Sequence, residues 1–153
     1  MRDVLSTLEG RGETLAVAES LTGGQLAASI VDVPGASRVF RGGLIVYATD
    51  LKASLAGVPE SLLDAVGPVD PDVAAALAEG ARRVCRADWG LSTTGVAGPD
   101  PQHGIAPGTV YIAAAGPSSA VRRLELDGDR AAIRTATVAA VVALLGELIQ
   151  AHR

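Results

Sequence analysis

Short apolar runs alternate with amphipathic segments along the whole chain, and this rhythm predicts the elements. Val4, Leu5 and Leu8 fall at helical spacing and predict a helix over residues 3–10, with Gly10 at its end. Residues 13–19 form a first apolar strand, and a helix covers Leu26 to Val31 after a polar turn. Residues 42–48 (GGLIVYA) are a second strand, whose near-continuous apolar run suits cover on both faces. Short helices follow over residues 50–56 and from Pro59 to Ala65. Asp70-Pro71-Asp72 starts a longer helix to about Arg86, with Val73, Leu77, Ala81 and Val84 as its apolar stripe.

The carboxyl-terminal half repeats the theme. Residues 89–96 and 109–115 are apolar strands, and residues 120–126 alternate apolar with charged, as a half-exposed edge does. The link 116–119 is too short for a parallel crossover, so a hairpin is expected there. Asp127-Gly128-Asp129 turns the chain into a last helix ending near Ala151. Between Ala136 and Leu145 this helix is apolar around much of its surface, which fits deep burial or a partner subunit. Strands interleaved with helices predict an α/β fold: a three-layer α/β/α sandwich with a mixed, mostly parallel sheet of about five strands. At 153 residues, the span 1–153 is expected to be one domain.

Composition narrows the functional classes. The net charge of −4 gives no basic footprint for nucleic acid. The one cysteine, Cys85, excludes an internal disulfide and a cysteine-rich zinc site, and is expected to be a small buried apolar residue. No signal peptide is visible, and no apolar run reaches the roughly 18 residues of a membrane span. The expectation is a cytoplasmic protein with no membrane or nucleic-acid partner.

The densest polar chemistry lies in Leu15–Gln25, LAVAESLTGGQ. Ser20 stands where the first strand ends. Thr22-x-x-Gln25 ahead of an apolar run has the spacing of a capping box. Gly23 and Gly24 permit a sharp turn and close approach of a ligand, and free N–H groups at the following helix start suit an anion. On local grounds Ser20 is a nucleophile, an anion donor or a second cap.

In such folds ligands bind outside the carboxyl ends of the parallel strands. That rule brings Ser20 together with Tyr47 and Lys52 after the second strand and with Thr94-Gly95 after the third. A serine nucleophile needs a base. His152 is at the chain end and His103 is in a long loop, where a solvated residue is expected. Lys52 is the only lysine, and arginine cannot serve as a base near neutrality, so Lys52 is the one candidate amine base, although a lysine on an exposed helix face would read the same. Tyr47 either assists it or packs at the strand end. Arg130 and Arg134 sit one turn apart at the start of the last helix, where cations oppose the dipole; a bound phosphate or carboxylate, or an ion pair with Asp127 or Asp129, accounts for them.

Several of these segments together resemble one family. Ala18-Glu19-Ser20-Leu21-Thr22-Gly23-Gly24, Gly42-Gly43 through Tyr47 to Lys52, Thr94-Gly95-Val96-Ala97-Gly98-Pro99, Gly108-Thr109-Val110 and Gly128-Asp129-Arg130 with Arg134 are similar to ordered motifs of the CinA C-terminal domain family, over roughly Thr14 to Leu145. The resemblance implies a nicotinamide-nucleotide amidohydrolase of the PncC type, which turns nicotinamide mononucleotide into nicotinate mononucleotide and ammonia without metal or organic cofactor. Carried onto this chain, it implies Ser20 as nucleophile, Lys52 as base and Tyr47 as its assistant. Thr22, Gly23, Gly24, Thr94 and Gly95 would hold substrate or supply oxyanion N–H groups. Arg130, with Arg134, would take the phosphate of the pyridine mononucleotide. A homodimer is the expected assembly. Leu21 departs from the small or cysteine residue often found there, and the loop 100–107 lacks the family's usual Gly-Gly and Lys-Pro. Larger family proteins add a nucleotide-binding domain linked to ADP-ribose hydrolysis, and nothing in these residues resembles it. Two other readings stay open: a nucleotide- or phosphate-binding module without turnover, and an interaction protein using its apolar last helix.

Overall fold

A computed structural model describes residues 1–152. Six α-helices and five strands follow one another as α1 (Arg2–Arg11), β1 (Leu15–Glu19), α2 (Gln25–Val31), β2 (Phe40–Ile45), α3 (Thr49–Ser54), α4 (Glu60–Val66), α5 (Pro71–Cys85), β3 (Trp89–Gly95), β4 (Thr109–Ala115), β5 (Ala120–Glu125) and α6 (Arg130–Ala151). The strands form one sheet in the order β2-β1-β3-β4-β5. β1 runs parallel to both β2 and β3, whereas β4 is antiparallel to β3 and to β5. The expected α/β sandwich with a mixed sheet is therefore present, with the β4–β5 hairpin in place. Its antiparallel share is larger than expected, because the long link after β3 also reverses the chain.

Strand periodicity sorts the core into two layers. Leu15 and Val17 of β1 pack with Leu91, Val110 and Ile112 beneath α1, α2 and α6. The intervening Ala16 and Ala18 pack with Val46 against α3, α4 and α5. On that second face the side chains are small because α5 lies close: a Cβ on Gly90 would fall 2.0 Å from the Ala78 carbonyl oxygen. Ser92 uses the same proximity and donates to the Ala74 carbonyl at 2.6 Å.

Several local expectations need correction. α1 runs through Gly10, which tolerates either geometry, to Arg11, and is capped by Gly12 in the left-handed conformation (φ 68°). β2 is an edge strand with alternating exposure, so its apolar run is not covered on both faces; Ile45 stays 53% exposed. Val84 projects off the α5 stripe into solvent because the stripe drifts at the helix end. α5 does begin as expected, with the Asp70 carboxylate accepting from the Asp72 N–H at 2.8 Å and Pro71 in the first turn. α6, at 22 residues, is long and apolar enough to cross a membrane by length and composition alone, against the expectation that no segment would be. Here it lays Ile133, Val141, Leu144, Leu145 and Ile149 on the sheet, as a core helix does, and leaves Ala139 and Ala143 exposed. Cys85 is half-buried rather than fully buried, and burial pushes its thiol pKa up.

Candidate active site at the ends of the parallel strands

β1, β2 and β3 run the same way, so their carboxyl ends lie side by side. A cleft of about 280 Å³ opens there, floored by Ser20 and Lys52, walled by Tyr47, Thr94, Gly95 and the loop from Val96 to Gln102, and edged by Arg130. Ser20 follows directly on β1, at the parity that faces α3 and α5. Its N–H donates to the Thr93 carbonyl at 3.0 Å, extending the β1–β3 ladder by one residue and fixing the backbone beneath the hydroxyl.

Lys52 reaches the floor from α3. It is 1% exposed, and its Nζ lies 2.9 Å from Ser20 Oγ. The same nitrogen donates to the Val46 carbonyl at 2.7 Å and the Tyr47 carbonyl at 3.3 Å. Among the described residues no carboxylate pairs with it. Burial lowers its pKa from 10.5 to about 8, since desolvation disfavours the charged form. A neutral amine has two hydrogens and one lone pair. The two carbonyls can only accept, so they take the hydrogens and leave the lone pair to the Ser20 hydroxyl.

The other residues expected at the site divide. Tyr47 is 62% exposed at the cleft mouth, and its hydroxyl meets Arg130 Nη2 at 3.1 Å; only its carbonyl touches Lys52. Arg130 also donates to the Gly98 carbonyl at 2.7 Å, so it braces the loop after β3. Thr94 and Gly95 line the cleft, with the Thr94 hydroxyl donating to the Pro68 carbonyl at 2.7 Å. Thr22, Gly23 and Gly24 do not line it. Neither does Arg134, which donates through Nε to the Leu21 carbonyl and through Nη2 to the Thr22 carbonyl, both at 2.9 Å. Neither arginine forms a salt bridge among the described residues. His103 is exposed in the loop, away from Ser20.

The capping box does not form. The α2 N-cap is Gly24 (φ 105°), the Thr22 hydroxyl pairs with that of Thr93 at 2.8 Å, and the Gln25 amide donates to Thr135. The cap comes from Glu19, fully buried at the end of β1. Its two carboxylate oxygens accept the Leu26 and Ala27 N–H groups at 2.8 and 3.0 Å. Sequence reasoning gave Glu19 no role. The available signal was a charged residue closing a strand that is otherwise apolar, just ahead of a helix whose own cap position holds glycine.

Fold and site together define the class: an α/β sandwich carrying a buried hydroxyl–amine pair where three parallel strands end. Comparison with known sequences agrees on the ancestry. The model of the CinA C-terminal domain matches residues 1–149, and the chain belongs to that family. A CinA-like protein of Frankia casuarinae is 51% identical over 147 residues, 95% of this chain but 34% of the relative. A CinA-like protein of Anaeromyxobacter is 51% identical over 136 residues, 86% of this chain and 32% of its own length. The chain thus spans about a third of the curated relatives it matches. A solved CinA superfamily protein of Klebsiella pneumoniae superposes with a TM-score of 0.95 at 27% identity, covering 99% of this chain and 96% of that one. The competence/damage inducible protein CihA of Agrobacterium tumefaciens gives 0.92 at 29% identity, covering 96% and 92%.

Proposed function

We propose that this chain is a nicotinamide-nucleotide amidohydrolase working through Ser20 and Lys52. The observation that carries the reading is the 2.9 Å contact between Ser20 Oγ and a buried lysine amine whose pKa lies near 8. At pH 7 about a tenth of such an amine is unprotonated, against well under a thousandth for an ordinary lysine. Lys52 takes the Ser20 proton as Oγ attacks the carboxamide carbon of nicotinamide mononucleotide. The Val46 and Tyr47 carbonyls stabilise the ammonium that forms. Lys52 then protonates the departing nitrogen, ammonia leaves, and an ester to Ser20 remains. Water attacks the ester as Lys52 accepts its proton, the ester C–O bond breaks as Lys52 returns that proton to Ser20 Oγ, and nicotinate mononucleotide is released.

The developing oxyanion needs preorganised donors. The N–H of Leu21, next after the nucleophile, finds no acceptor among the described residues and serves in that role. Arg130, at the rim with an exposed guanidinium beside the Tyr47 hydroxyl, takes the phosphate. No step requires a metal or organic cofactor.

Ammonia release from nicotinamide mononucleotide by the wild type, Ser20→Ala and Lys52→Ala tests this reading. Activity in the wild type that disappears in both variants supports it. Full activity in Ser20→Ala overturns the nucleophile assignment, and an inactive wild type that still binds the nucleotide by calorimetry leaves a binding module.

A further inference from the structure

Ser20 leads a five-residue turn that carries two glycines in the left-handed region, Gly23 (φ 57°) and Gly24 (φ 105°). Such a turn has little stiffness of its own. It is nevertheless gripped from two sides by buried or half-buried charges that have no counter-ion among the described residues. From below, the Glu19 carboxylate accepts the Leu26 and Ala27 N–H groups and ties the far end of the turn to the end of β1. From the α6 side, the Arg134 guanidinium forks onto the Leu21 and Thr22 carbonyls in the middle of the turn. One group engages only N–H donors and the other only carbonyl acceptors, so the turn can slip toward neither without losing charge-assisted hydrogen bonds.

We infer that Glu19 and Arg134 are positioning residues, a two-sided clamp that holds Ser20 Oγ on the Lys52 amine. The inference rests on the assignment of Ser20 as nucleophile and goes beyond it, since neither clamp residue reaches the cleft. Strand parity makes the arrangement possible. Glu19 points to the α2 layer and Ser20 to the α3 layer, so adjacent residues act on the turn and on the chemistry from opposite faces of the sheet. Arg134 lies one helical turn beyond Arg130, and the two part company: Arg130 faces the cleft and Arg134 faces the turn.

The effect is geometric, so it falls on turnover rather than on binding. A displacement of about 1 Å at a reacting atom costs on the order of 100-fold in rate. Arg134→Gln is expected to lower kcat about 30- to 100-fold with KM changed less than about threefold, and Arg134→Lys to recover most of the loss. Glu19→Gln, which turns one acceptor oxygen into a donor, is expected to lower kcat about tenfold or more with KM again held. Thermal melts identify any variant that fails to fold; Arg134→Gln carries the test if Glu19→Gln does not fold.

A second readout does not depend on the substrate: the rate at which a fluorophosphonate labels Ser20, followed by mass spectrometry. Slower labelling in both variants supports the clamp even if the wild type does not hydrolyse nicotinamide mononucleotide, in which case only the substrate assignment fails. Raised KM with kcat preserved in Arg134→Gln makes Arg134 a substrate ligand and overturns the clamp. Wild-type turnover and labelling in the variants overturn it too. A wild type in which Ser20 resists labelling and no turnover is seen removes the nucleophile and the clamp together.

Discussion

The sheet has two halves that differ in what their strand ends do. In the parallel half, β1, β2 and β3 finish along one rim, and the chain delivers Glu19, Ser20, Lys52, Thr93 and Thr94 there as buried polar residues. Each has a hydrogen-bond partner in the protein. In the antiparallel half, successive strands end at opposite rims, so their carboxyl ends do not gather at one place. The charges of that half lie in exposed ion pairs, Arg122 with Glu147 and Arg123 with Glu125. Strand direction, rather than composition, concentrates the chemistry.

This contrast can be broken or sharpened by experiment. The largest effect belongs to the Ser20–Lys52 pair. Each alanine variant is expected to lose at least about 1,000-fold in kcat, and the double variant no more than either single one, because the two act as a unit. Additive losses measured on nucleotide hydrolysis would separate them.

Packing against the parallel half comes next. Gly90→Val puts side-chain atoms where even a Cβ meets the Ala78 carbonyl at 2.0 Å. A loss of about 3 kcal/mol in urea unfolding is expected, more than 100-fold in the folding equilibrium. An unchanged midpoint would mean that α5 is free to retreat.

At the rim, Arg130→Ala is expected to raise KM for the mononucleotide about 30-fold while kcat falls less than about threefold. It would then behave opposite to Arg134→Gln. Steady-state kinetics on both variants decides whether two arginines one turn apart have separate duties.

The pH dependence is about tenfold per unit. In its proposed role as base the Lys52 amine must be neutral, so kcat/KM is expected to rise through pH 6–8 and level off above about 8. Stability has its own sign. The folded pKa lies below the unfolded 10.5, so between pH 8 and 10.5 the unfolded chain binds the extra proton. Burying the charged amine therefore costs stability in full below pH 8, and this cost is relieved as pH rises toward 10.5. Melting curves of wild type and Lys52→Met against pH check this: the variant should gain less than the wild type over that window. The smallest effect is in the other half of the sheet. Removing Arg122 or Glu147 is expected to leave the melting temperature unchanged within error, since exposed pairs contribute little.

The alternation of apolar runs with amphipathic segments was enough to predict the elements, the hairpin and the sandwich, because periodicity is a local property and each strand or helix states its own. The rule that ligands gather at parallel strand ends also brings Ser20, Lys52 and Thr94 to one place from the sequence alone. Other features depended on neighbours distant in sequence. Whether β2 lies at the edge or inside depends on which strand stands beyond it, and its apolar run reads the same either way. Thr22 and Gln25 had the spacing of a cap. Thr93 and Thr135, 71 and 110 residues away, took their side chains instead.

The divergence of Arg130 and Arg134 was equally invisible, because their spacing puts both on one helix face while the cleft and the turn share that face. Residue type and order fix which groups are present and which face of a strand each occupies, as with Glu19 and Ser20. Which partner satisfies a buried charge is settled by packing, since hydrogen bonds reach about 3 Å and the competing partners come from anywhere in the chain.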